Sequence, residues 1–193
     1  MRVDDVHRSV RRYVAVGLGP LWTVRLVRQE VPDDTRPLAV VERAGPKTNP
    51  TPPRMTVPAG DVDEIIPFSI LAYPALGATP NEAYLAAASA QQRLGDIFEL
   101  GLVNDDASSI SPPLAVPLYD YSAVPITGGQ AGPATPRTYG QLADLATRAI
   151  QDPENDLRYT VACDIRVRWW RGGRRARPAP TATRMPGKWD ATP

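Results

Sequence analysis

The side chains that most often carry catalysis are scarce in this chain of 193 residues. His7 is the one histidine and Cys163 the one cysteine, so a nucleophile paired with histidine would have to use them. No pattern around His7 supports such a pair, and we expect its side chain to be exposed to solvent on a helix. Cys163 falls on the apolar side of a predicted strand, where a small buried side chain is expected rather than a reactive thiolate. A single cysteine also excludes a disulfide bond within the chain.

Acidic residues form clusters of the kind that can bind a divalent cation. The clusters are Asp4-Asp5, Asp33-Asp34, Asp61-Asp63-Glu64, Asp105-Asp106 and Asp152-Glu154-Asp156. They fall at positions typical of loops and helix starts, and none has the glycine-bearing spacing of a calcium loop. The paired glycines at 128–129 and 172–173 lack the strand-to-helix context of a phosphate-binding loop. We therefore predict no metal, no cofactor and no enzymatic activity.

Basic and aromatic residues near the C-terminus indicate a binding role instead. The net charge of +1 favours no partner, but the residues from 171 onward carry six basic side chains and one acid, Asp190. They could bind nucleic acid, with Trp189 stacked on a base, or contact an acidic protein surface, or only keep the chain soluble. Strand alternation directs Trp170 to the polar side, and exposed tryptophans are typical of interfaces. The candidate subunit-interface residues are Lys47, Arg54, Arg166, Arg168, Trp170, Arg171, Arg174 and Arg175.

The longest element that must position these residues is a predicted strand at 157–171. Its apolar and polar residues alternate without a break, which is typical of a strand with one buried and one wet face. Shorter strands are predicted at 21–31, 37–44, 62–73 and 114–121. Pro67 interrupts the third of these and predicts an edge position or a bulge there.

Two helices are predicted. The first covers 3–16 and is followed by Gly17-Leu-Gly19-Pro20, since glycine can cap a helix and proline cannot continue it. The second starts at a capping box, in which Thr79 accepts the amide of Glu82 and the Glu82 carboxylate returns to the Thr79 amide. It runs to about residue 100, where Gly101 can end it. Residues 142–150 are ambiguous: their periodicity slightly favours a helix, whereas the turn at 152–155 suits a hairpin strand.

These elements predict an α+β domain over 1–171, with an antiparallel or mixed sheet of about five strands and two packed helices. Residues 45–60 and 122–138 are predicted as long loops, the first either mobile or ordered by a neighbouring subunit. Residues 172–193 are predicted as an extended, basic, proline-rich tail.

Several of these segments occur together, in this order, in one known family. They are the N-terminal helix, the strand with Trp22, the helix opened by Thr79-Pro-Asn-Glu82 with Gln91-Gln-Arg-Leu94, then Val116-Pro-Leu-Tyr-Asp-Tyr121, and Gln151-Asp-Pro-Glu-Asn-Asp156 leading into the long strand. In this the chain resembles, over about residues 3–171, the tail terminator proteins of siphovirus-type actinobacterial phages, whose tails are long and non-contractile.

The resemblance implies a small α+β fold and a hexameric ring on the head-proximal end of the tail tube, which stops tube polymerisation and docks to the head-tail connector. It also implies a strand before the Asp-Pro turn, at 142–150. The expected partners are further copies of the chain, the tail tube protein and the head-closure protein, with a contact to packaged DNA and none to a membrane. The expected location is the neck region of the virion tail, after assembly in the host cytoplasm. The alternatives are a head-closure or neck connector protein of the same particle, and a nucleic-acid-binding protein that acts through its basic tail.

Overall fold

The computed structural model describes residues 3–26, 36–44, 63–102, 112–122, 133 and 135–170. The predicted loop at 45–60, most of the loop at 122–138 and the tail at 172–193 lie outside these residues. Within them, two helices and six strands follow one another along the chain. The predicted α+β class with two helices is confirmed, and the sheet has one strand more than the five expected.

Helix α1 covers Val3–Leu18 and buries one apolar face, with Val6, Val10 and Val14 fully covered. Gly19 follows it with a positive φ of 87°, and its N–H still donates to the carbonyl of Ala15. This left-handed residue ends the helix, as the glycine pattern predicted.

Helix α2 covers Pro80–Glu99 and begins at the capping box. The Thr79 hydroxyl accepts the Glu82 amide at 3.3 Å, as expected, but the Glu82 carboxylate accepts the amide of Ala78 at 2.8 Å rather than that of Thr79. Gly101, with φ of 79°, follows the C-cap. Small residues along the buried side of α2, such as Ala83, Ala87 and Ala90, let it approach the sheet closely.

The strands form one mixed sheet in the order β1-β2-β3-β6-β5-β4. Their bounds are Thr23–Arg25 for β1, Leu38–Arg43 for β2, Asp63–Tyr73 for β3, Ala115–Leu118 for β4, Thr138–Asp152 for β5 and Asn155–Trp170 for β6. The β1–β2 pair is parallel, and the other pairs are antiparallel. Both helices pack on one face of this sheet, where Phe68, Ile165 and Trp169 are fully buried. The opposite face is called the outer face below.

Two prolines sit within strands without breaking the ladder. Pro67 lies in β3 between two strands, so the predicted edge position is wrong. Its carbonyl accepts from the Ala44 amide just past the end of β2, so its missing N–H falls where the β2 ladder stops. Pro117 lies in β4, the last strand of the sheet, and its neighbours on either side make the bonds to β5. Each proline therefore lowers the stability of the sheet only slightly.

Residues 142–150 lie within strand β5, so the helix that their periodicity favoured is wrong and the strand implied by the resemblance is present. The ladder to β6 is irregular between Leu142 and Asp144, where one extra residue is inserted. Leu142 and Leu145 therefore both pack against the core, although they are three positions apart. A bulge in a strand thus reproduced the i, i+3 spacing of a helix. The turn that joins β5 to β6 is tight, and the Asp152 carboxylate accepts the Glu154 amide at 3.0 Å.

Candidate assembly surface

The predicted interface residues fall in two groups. Lys47, Arg54, Arg171, Arg174 and Arg175 lie outside the described residues, and so does the side chain of Trp170, whose backbone ends β6. Arg166 and Arg168 are described, and both are exposed on the outer face of β6. The structure therefore places two of the eight candidates on an accessible surface.

The arginines of the outer face already have partners within the chain. Arg166 lies across from Asp144 of β5, with its Nε 3.8 Å from an Asp144 oxygen. Arg148 of β5 lies 3.4 Å from Asp164, and Asp164 also accepts a hydrogen bond of 2.8 Å from the Ser69 hydroxyl. Exposed pairs of this kind contribute little to stability. They do make the outer face a surface of alternating charge rather than a basic patch.

Among the described residues, the far edge of β5 has no partner strand over most of its length. Strand β4 pairs only with residues 138–141 of β5, and the Leu142 amide donates to the Leu114 carbonyl. From 143 to 152, the described residues provide no further strand on this side. The Thr147 carbonyl faces this side, since it accepts a side-chain N–H of Gln91 at 3.3 Å. In an antiparallel ladder the backbone groups of Leu145 and Ala149 then face the same way.

A groove of about 320 Å³ lies beside this open edge, along α2 and against Thr147 of β5. It is lined by Ala88, Gln91, Gln92, Gly95, Asp96, Glu99 and Thr147. A side chain added at Gly95 would meet no atom within 4 Å, so the groove is wide at that point. The lining holds two carboxylates, two amides and no basic residue. Its chemistry suits an extended peptide that carries positive charge, and we call it the α2–β5 groove.

Apolar side chains are also exposed near the start of α2. Tyr84 and Leu85 are 57% and 64% exposed, and the Tyr84 ring meets Tyr159 of β6 edge to face at 6.3 Å. Tyrosine on a surface supplies contact area with little loss of conformational freedom on binding. This side of the hairpin and α2 therefore offers apolar contact area beside the open strand edge.

The residues that could have carried catalysis have structural roles. His7 is half-buried: its Nε2 lies 2.7 Å from the Val41 carbonyl and its ring 5.5 Å from that of Phe68, so the predicted exposed position is wrong. Cys163 is fully buried, as predicted, and burial raises the pKa of its thiol from 9.0 to about 12, with a smaller contribution from Asp164. A thiol with this pKa is not a nucleophile near neutral pH.

Within the described ranges, no three His, Cys, Asp or Glu side chains come together in a way that could hold a metal ion. Neither α1 nor α2 combines the length and the apolar character needed to cross a membrane.

The open edge and the groove escaped sequence reasoning, although a signal for them existed. A 16-residue β6 with a tight turn before it requires a β5 of similar length, whereas the predicted strand at 114–121 is too short to cover such a partner. The length of β5 that has no further strand beside it follows from the length of β6 and the length of the predicted strand at 114–121. The glutamines and acids of α2 could not be assigned to the groove, because the helix orientation over β5 is set by tertiary packing.

Comparison with models of known protein families gave no match, and comparison with curated protein sequences gave no relative.

Proposed function

We propose that this chain is a structural virion protein that forms a ring on the head-proximal end of a phage tail tube, ends its polymerisation there and offers a surface to the head-tail connector. The proposal takes the tail terminator role from the resemblance of the sequence. The observation that supports it best is the open edge of β5 beside the α2–β5 groove. A surface of this kind binds a different surface of the next copy, and such head-to-tail contacts close into a ring when the rotation between copies allows it.

The shape of the β5–β6 hairpin fits this role. The β5 residues from 148 to 151 are exposed. Ile150 is 45% exposed, although it is paired with Thr160 across the β5–β6 ladder. A monomer gains little from extending two strands this far, since most of the added surface stays in water. Contact area that a monomer does not use is available to neighbouring subunits and to the tube. The proposed partners are therefore further copies of this chain, the tube protein and the connector protein.

The proposal also holds that the chain is not an enzyme. His7 and Cys163 are both engaged in packing, and within the described residues no three His, Cys, Asp or Glu side chains come together in a way that could hold a metal ion. On the outer face, Arg166 and Arg148 each lie beside an aspartate, so these two arginines do not form a basic patch for nucleic acid. An interface between proteins accounts for this mixture of arginine and aspartate side chains.

The test is the tail-length distribution, measured by electron microscopy, in lysates of a phage that lacks this chain. We expect overlong tails of variable length that are not attached to heads, and restoration of a single length when the chain is supplied from a plasmid. Tails of normal length beside unsealed heads would overturn the terminator role and assign the protein to head closure.

A further inference from the structure

We infer that the α2–β5 groove receives the basic C-terminal segment, residues 171–193, of a second copy of this chain. The inference rests on the proposed function for its setting, a ring of copies, and it names the contact that links them. The contact itself can be tested on the purified chain.

The first support comes from the backbone of β5. The groups of Leu145, Thr147 and Ala149 that face away from β6 are available to an extended partner, and among the described residues Gln91 bonds to the Thr147 carbonyl. An added strand would bond to this row and replace the Gln91 amide. Residues 181–185 of the C-terminal segment are free of proline and glycine and alternate threonine with alanine and arginine, a composition compatible with such a strand.

The second support is charge. Asp96 and Glu99 line the groove, and no lysine or arginine does. The C-terminal segment has six basic residues against one acid, whereas the other proline-rich segment, 45–60, has only Lys47 and Arg54. The C-terminal segment is therefore the better match for an acidic groove. The same charge disfavours nucleic acid as the occupant.

The third support is the length of the C-terminal segment. Thr147 lies opposite Cys163, seven positions before the end of β6, or about 23 Å along the strand. A chain leaving Trp170 therefore starts about 23 Å, measured along the strands, from Thr147 of its own groove, and the choice of a second copy rests on the proposed ring, in which copies lie side by side. The 23 residues after Trp170 span up to about 75 Å when extended, which suffices to reach the groove of a neighbouring subunit as well as the chain's own, and cross-linking between two variants separates these two cases.

The first experiment is cross-linking between two full-length variants. One copy carries Ala88→Cys in the groove and the other carries Ala182→Cys in the C-terminal segment, so any bond between them joins two molecules. Cys163 stays silent because it is fully buried. Ser89→Cys is the matched control, since Ser89 is exposed on the same helix but does not line the groove. We expect a short bis-maleimide to link Ala182→Cys to Ala88→Cys several-fold more than to Ser89→Cys.

The second experiment blocks the groove without damaging the fold. Gly95→Leu fills the groove at its open point and replaces a helical glycine, and Glu99→Lys puts a positive charge at the C-terminal end of α2, where the helix dipole favours it. Both variants should keep or raise the melting temperature, lose the cross-link and sediment as smaller species. Ser89→Leu and Glu154→Lys introduce the same two side chains at exposed positions outside the groove, and they should retain both the cross-link and the assembly.

Cross-linking equal to that of the Ser89→Cys control would overturn the inference. So would linkage within single molecules only, tested with both cysteines on one chain diluted into unmodified protein. If rings form normally while Gly95→Leu and Glu99→Lys have no effect, the inference fails and the proposed function survives. If the contact is found but tails keep their normal length without the protein, the proposed function fails and the inference survives.

Discussion

Strand β6 has a long antiparallel partner on each side, and the two partners are used differently. β3 is bonded along β2 as well as β6, and Ile66, Phe68, Ile70 and Ala72 on its helix-facing side are at most 1% exposed. Within the described part of the chain, β5 pairs with strands on both edges only over its first residues, and Gly140 alone among its 15 residues is buried. The same central strand thus joins a closed half of the sheet to an open one.

The difference shows where stability and interaction are placed. Burial on the β3 side supplies the hydrophobic free energy that holds the fold, whereas β5 adds backbone hydrogen bonds and little burial. A long open edge invites pairing with other chains, and monomeric proteins usually shorten, cover or charge such edges. Here the described protection is one glutamine amide at Thr147 and the charged side chains of Asp144 and Arg148. An edge with so little protection is better suited to an assembling subunit than to a lone monomer.

The largest expected effect contrasts one isoleucine on each partner strand. Ile70 of β3 is fully buried, and its replacement by alanine should lower the free energy of unfolding by about 2–5 kcal/mol. Ile150 of β5 is 45% exposed, so Ile150→Ala should cost at most about 1 kcal/mol, mostly through strand propensity. Urea denaturation of both variants at a concentration where the chain is monomeric measures the difference. Equal losses would show that the two halves of the sheet do not differ in burial.

Two helical glycines extend the comparison to the closed and open sides of α2. A side chain at Gly17 of α1 would lie 2.4 Å from the Cγ1 of the buried Ile97, so Gly17→Ala should destabilise the fold by about 1–3 kcal/mol. Gly95 faces the groove with nothing within 4 Å, so Gly95→Ala should stabilise it by about 0.5–1 kcal/mol. The melting temperatures of the two variants, compared with that of the unmodified chain, test both expectations. A loss at Gly95 would mean that the groove is closed in solution.

The closed half of the molecule was largely predictable from sequence. The ends of α1 and α2, the strands β2 and β6 and the tight turn before β6 follow from local patterns, which record capping, alternation and turn chemistry. The edge position predicted for Pro67 is wrong because an inner strand can accept a proline where the neighbouring strand ends. The end of β2 is set by tertiary pairing, which the sequence around Pro67 does not record. The exposed position predicted for the His7 side chain is wrong because its partner, the Val41 carbonyl, lies 34 positions away in the sequence.

The open half was harder, for a different reason. The bulge between Leu142 and Asp144 gave β5 the spacing of a helix, and only the turn and the length of β6 argued for a strand. The same bulge brings Asp144 opposite Arg166, so the exposed position of Arg166 was predictable but its partner was not. The groove required the position of α2 over β5, which no local pattern records.

The smallest expected effect concerns the one place where β5 has strands on both sides. Asp120 follows β4, and its carboxylate accepts the Ser122 amide at 3.0 Å and an Arg137 N–H at 2.6 Å. The hydrogen bonds from Ser122, and then those from Arg137 and its charge, lower the pKa of Asp120 from 3.8 to about 2. A carboxyl whose pKa is lower in the folded state stabilises the fold above its unfolded pKa and loses that contribution as pH falls through the folded value. The unmodified chain should therefore lose stability relative to Asp120→Asn between pH 3.8 and about 2.

Parallel pH titrations of the free energy of unfolding, with the Asp120 carboxyl followed by NMR, measure this directly. The loss is small because the pair is exposed to solvent. A constant difference across this range would mean that the Asp120–Arg137 contact does not help to hold β4 against β5.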